Sequence, residues 1–171
     1  MILLLDESAE PPPGDQEPRP LMGNHVQTKL PPSARLLGLA GLLPQVLCLV
    51  AVFVENTRYI ALSAAFLYAA LIFSFLGGFW WGLAVASPGA PRWVYSVAVL
   101  PSLLAMVSGI PWMIGSSWPG PSLALLGIAL IAALWVDVRL NRLNIMPDWM
   151  LRLRIILSAG LGVTTLALAA L

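Results

Sequence analysis

The groups in this chain that could do chemistry are few and scattered. The sole histidine, His25, lies in a polar N-terminal stretch, and the sole cysteine, Cys48, lies inside an apolar run. One histidine outside the apolar segments supplies neither paired haem ligands nor a triad there. One cysteine excludes an intramolecular disulfide and a thiolate-rich metal site. No metal and no cofactor is therefore expected. Ionisable side chains inside apolar stretches usually mark function. Glu55 and Arg58 stand one turn apart and read as a solvated local pair. Asp137, near Arg139 and Arg142, reads as an interfacial ion pair, with Arg152 or Arg154 as other anchors. No acid or base falls at mid-membrane, so ion-coupled transport and enzymatic chemistry are both disfavoured.

The polar residues left inside apolar runs are uncharged: Gln45, Tyr68, Ser74 and Ser102. Pro44 and Pro101 sit at similar depth, and each frees the carbonyl one turn earlier, at Ala40 and Val97. Gln45 and Tyr68 could line a small polar pocket beside those carbonyls, or simply satisfy them and tie helices together. The pocket reading gathers Pro44, Gln45, Tyr68, Gly77, Gly78, Trp81 and Pro101. Seven tryptophans invite an aromatic-cage reading, but their positions suit the interfacial belts of a membrane protein. Trp80, Trp81, Trp93, Trp135 and Trp149 fall near the inner boundary, and Trp112 and Trp118 near the outer one.

These residues need elements to hold them, and one stretch dominates. Residues 70–86 place small side chains at every fourth position: Ala70, Ser74, Gly78, Gly82 and Ala86. On a helix these line one face. A groove of small residues lets a second helix approach closely, as helices do in lipid. The ladder is expected to pack a helix, from the same chain or from a copy of it, or to hold a lipid tail or cofactor. Ser158, Ala159, Gly160 and Gly162 offer a matching surface.

Composition fixes the solvent. Of 171 residues, 59% are hydrophobic and 10% charged, against about 25% charged in a soluble domain. So little charge cannot cover a water-facing surface, and the net charge of +1 gives no case for nucleic acid. Residues 1–33 differ from the rest. They hold five acids and seven prolines and read as a disordered tail. Five spans follow, at about 35–54, 59–86, 93–114, 121–138 and 151–171, each near the roughly 20 residues a bilayer needs. The expected fold class is all-α, an integral membrane bundle of five transmembrane helices. Short connections make neighbours antiparallel. The longest connection, residues 139–150, should lie along the anionic leaflet as a basic amphipathic stretch. With the N-terminus inside, Lys29, Arg35, Arg92, Arg139, Arg142, Arg152 and Arg154 collect on the inner side and only Arg58 on the outer. That bias places the N-terminus in the cytoplasm and the C-terminus outside.

The second span, Y-A-A-L-I-F-S-F-L-G-G-F-W-W-G-L-A, resembles the signature helix of the DUF3429 family, which includes the animal transmembrane protein 69 group. Ser74, Phe75, Leu76, Gly77, Gly78, Trp81, Gly82 and Ala84 carry the likeness. L-G-L-A-G-L-L-P (residues 37–44) and P-D-W-M-L-R-L-R (147–154) also look similar to family pieces. The resemblance implies a small multi-pass inner-membrane protein of unknown molecular function. It supplies no catalytic residue. The expected role is a non-enzymatic structural or assembly partner in the bacterial inner membrane, in contact with the lipid bilayer and with a membrane-protein partner or itself. The alternative is a binder of a lipid, quinone or porphyrin beside the second helix. Span number and tryptophan content also look similar to the translocator-type tryptophan-rich proteins, but their W-x-P-P motif is absent.

Overall fold

The computed structural model describes residues 32–115 and 119–171. Every regular element among them is a helix: α1 (Pro32–Ala40), α2 (Leu43–Ala51), α3 (Arg58–Ala86), α4 (Trp93–Ser108), α5 (Ile110–Met113), α6 (Gly120–Arg142) and α7 (Asp148–Ala169). Most of the expected tail, with His25 and Lys29, lies outside the described residues, as does Trp118. Helix begins at Pro32, where a proline fits the first turn because its missing N–H would have had no partner.

Four helices are long and apolar enough to cross a membrane: α3, α4 with its continuation α5, α6 and α7. The first expected span is the exception. It is a shorter apolar segment, Arg35–Ala51, broken at Gly41 and Leu42. Pro44 causes the break. It lacks an N–H, and its ring crowds the preceding turn. The segment reaches about 25 Å at 1.5 Å per residue, short of the roughly 30 Å hydrocarbon core.

Local chemistry sets the other ends. Asn56 takes a left-handed φ of 66° after α2, and the Thr57 hydroxyl closes that turn by donating to the carbonyls of Ala51 (2.6 Å) and Val54 (2.9 Å). Between α3 and α4, Pro88 and Gly89 (φ 83°) make a type II turn closed by the Ala90 N–H on the Ser87 carbonyl. Gly109 and Pro111 set α5 off from α4. α6 runs four residues past its expected end at Val138, because nothing breaks it before Asn144. There a φ of 57°, the Ile145 N–H on the Leu140 carbonyl and the Asn144 N–H on the Asn141 carbonyl form a Schellman cap. The expected long basic connection is therefore mostly helix, split between the end of α6 and the start of α7. Asn141 pins the short turn that remains, donating 2.9 Å bonds to the Met146 carbonyl and the Asp148 carboxylate.

α3 is the centre of the bundle. Ala69, Phe73, Leu76, Trp80 and Ala84 form its buried stripe, packed with Val94 and Ala98 of α4, with Leu126, Leu130 and Ala133 of α6 and with Leu161 of α7. A second cluster at the other end joins Val52, Ala61, Leu62, Ala65, Leu123 and Leu168. Arg58 donates to the Leu171 carbonyl, so α3 starts beside the end of α7.

Candidate functional site

The chemistry collects where α3, α6 and α7 meet. Asp137 of α6 is 0% exposed. Its Oδ1 accepts the indole N–H of Trp80 at 2.7 Å, and its Oδ2 accepts Nε and Nη2 of Arg154, both at 3.1 Å. Arg154 is 11% exposed and also lies over the Phe79 ring, 5.5 Å from its centroid. Both carboxylate oxygens are satisfied, as burial of a charge in an apolar medium requires. Of the anchors expected for Asp137, Arg154 is the partner; the exposed setting is what is corrected, since the carboxylate is sealed inside the bundle. Trp80 is likewise no belt residue. It is 2% exposed and serves as a buried donor. Trp135 keeps an exposed position that suits a belt, and Trp112 packs edge-on against Phe66 at 5.6 Å.

Two close helix approaches hold this cluster in shape. A Cβ on Gly77 would lie 2.2 Å from the Ala98 carbonyl oxygen, so only glycine lets α4 come this near α3. Gly127 and Gly162 face each other across α6 and α7. A Cβ on either would meet the other's carbonyl oxygen at 3.0 or 3.1 Å and a neighbouring side chain at 2.7 or 2.6 Å. The partner surface for Gly162 is therefore α6, not the ladder on α3.

The ladder divides. Ala70 and Ser74 are half-buried and line a groove of about 730 Å³ between α3 and α4, where the Ser74 and Ser102 hydroxyls bond at 2.8 Å. Gly78, Gly82 and Ala86 are exposed, and a Cβ on Gly78 or Gly82 would meet nothing within 4 Å. The cause is helical geometry. A strict four-residue step turns about 40° past a full circle at 3.6 residues per turn, so the row winds from the α4 contact out to the bundle's exterior.

The residues of the expected ligand pocket do not converge. Gln45 is 0% exposed and donates to the Thr165 hydroxyl at 2.9 Å, tying α2 to α7; its Oε1 has no partner among the described residues. The Tyr68 hydroxyl donates to the Gly41 carbonyl at the α1–α2 break, one residue past the Ala40 carbonyl expected from Pro44. Trp81 is 46% exposed and stacks edge-on against Tyr95 at 5.2 Å. Pro101 is buried against Gly77, Pro44 is exposed, and Gly78 faces outward. The two polar side chains act as ties, not as a pocket lining.

A different groove lies beside the buried pair. About 230 Å³ opens between α1, α3 and α7, walled by Leu37, Gly38, Leu42, Phe75, Leu157 and Leu161, with Arg154 and Ser158 as its polar elements. Among the described residues no group of three or more His, Cys, Asp or Glu side chains could hold a metal. The residues that sequence reasoning missed are Gly127, Thr165 and the role of Trp80. The buried stripe Ala69, Phe73, Leu76, Trp80, Ala84 steps by four, three, four and four residues, closer to the helical repeat than the even ladder, but no polar contrast marks it in the sequence.

A family model described as "Protein of unknown function (DUF3429)" matches residues 30–171. No curated protein and no solved structure matches the chain.

Proposed function

The chain belongs to the DUF3429 family, and from that premise we propose that it is a non-enzymatic structural or assembly partner in the bacterial inner membrane. It works by docking the lower half of α3 against a second copy or another membrane helix. One observation carries this reading: Gly78, Gly82 and Ala86 present a bare helix surface that no other described part of the chain covers. Inside lipid, such surfaces stabilise helix pairs by close van der Waals contact. The chain's other close approaches, at Gly77 and at Gly127 with Gly162, are all internal.

The N-terminus is cytoplasmic and the C-terminus outside. The described basic residues support this orientation. Arg92, Arg139, Arg142, Arg152 and Arg154 belong to helix ends on one side of the bundle, and Arg58 stands beside Leu171 on the other. Gly38 of α1 packs against Leu153 and Leu157 near the start of α7, so α1 and α2 together run from the arginine-rich side to the Arg58 side.

The test is cross-linking in native membranes. A Gly82→Cys variant in a Cys48→Ala background should give a dimer, or a mixed disulfide with a co-purifying partner, on mild oxidation. A Val163→Cys control on the exposed face of α7 should not. A chain that stays monomeric, with no partner in mass spectrometry of the purified material, overturns the reading.

A further inference from the structure

The geometry points to a binding site for an anionic phospholipid in the groove between α1, α3 and α7, with one acyl chain along the groove and the phosphate on Arg154. The ladder contributes nothing to this site, which stands whether or not the protein self-associates. Its walls are mostly apolar. On α7 they are Leu157 and Leu161 with the small hydroxyl of Ser158, which with Arg154 follow the i, i+3, i+4, i+7 rule of a single helix face. Gly38 and Gly41 keep the α1 wall low. The volume, about 230 Å³, is several times the roughly 30 Å³ of a water and below the ~300–1,000 Å³ of pockets for drug-sized ligands. It suits a flexible chain and is too narrow for a macrocycle such as a porphyrin.

Charge decides what heads that chain. Asp137 takes Nε and Nη2 of Arg154, which fixes the guanidinium plane. Among the described residues no acceptor meets Nη1, and Arg154 lines the groove. A planar guanidinium held on one edge presents its other edge to a phosphate oxygen. Arg35 lies three residues before Gly38 on α1, one turn away along the same helix, and is exposed. Asp137 is already paired, and the other described acid at this end, Asp148, accepts from Asn141. Among the described residues no carboxylate opposes an anion there. Depth agrees. Arg154 lies six residues into α7, about 9 Å along its axis, and the headgroup layer is roughly 5–8 Å thick on each side of the hydrocarbon. A lipid phosphate on the arginine-rich side therefore meets the guanidinium at the layer boundary, and its chain descends past Leu157 and Leu161.

Native mass spectrometry of the full-length protein, given equal phosphatidylglycerol and phosphatidylethanolamine, tests the site. The wild type should retain phosphatidylglycerol in preference. Arg154→Lys keeps a positive partner for Asp137 but loses the fork, and should lower that preference about fivefold, the value of one cationic contact at a lipid surface. Leu157→Trp fills the groove and should abolish retention. Arg35→Gln alters an exposed side chain and should lower the preference by a similar factor. Equal retention of both lipids, as in a groove that takes any chain, overturns the proposal. So does retention unmoved by Leu157→Trp, as for lipid held elsewhere, or retention of neither lipid, as for a groove covered by protein.

Discussion

Gly77 and Gly78 adjoin in sequence but differ completely in surroundings, and a pair of substitutions separates them. Gly77→Ala drives a methyl against the Ala98 carbonyl, so α4 must move away. Overpacking of this kind costs about 1–3 kcal/mol or more, and the variant should melt well below the wild type in detergent. Gly78→Leu enters open space. It should leave the melting temperature of the monomer unchanged and remove the cross-linked species instead. The buried pair makes a second contrast. Asp137→Ala strands the Arg154 guanidinium and the Trp80 N–H, and breaking a buried pair from one side costs roughly 3–5 kcal/mol. Asp137→Leu combined with Arg154→Met removes both charges and should recover most of that loss in thermal denaturation. If single and double variants melt alike, the pair is not coupled.

At the scale of elements, helix–helix ties in lipid are individually small. Tyr68→Phe removes the donor to Gly41 at the α1–α2 break. It should cost about 0.6 kcal/mol and at most about 1.7, the range for hydrogen bonds between membrane helices. Its clearer readout is faster hydrogen exchange in residues 32–42, since Tyr68 is what anchors the kinked segment to α3. Helix existence was legible from apolar runs, because the runs are long and their ends carry proline, glycine and asparagine. The buried face of α3 was not. Its residues are apolar on all sides, and in lipid the outward face is as apolar as the inward one, so periodicity carries little signal. The even ladder of small residues stood out by eye, yet it winds around the helix. The break in the first span follows from Pro44, which sits at the start of α2 and cannot continue α1. Asp137 was visible as a charge, but its burial depended on α7 folding back through Gly127 and Gly162, a pairing that no local pattern announces.

For the whole molecule, the proposed orientation has a direct check. A reporter active only outside the cytoplasm should be active when inserted after Asn56 and silent when inserted after Gly89. The reverse result would invert the bundle. It would place the groove on the outer side and remove the cytoplasmic leaflet as its source of lipid.

The bond between Asp137 and Arg154 also has a consequence for biogenesis. The two residues are separated by 17 positions, so the carboxylate reaches the translocon ahead of its counter-ion. α6 on its own offers the translocon a helix with a charge near one end and no partner. The insertion machinery must therefore hold α6 until α7 arrives, and the two enter lipid as one hairpin. In a Cys48→Ala background, a cysteine at the buried Leu130 of α6 should react with a water-soluble maleimide in a released chain truncated after Asn144 and be protected in the full chain.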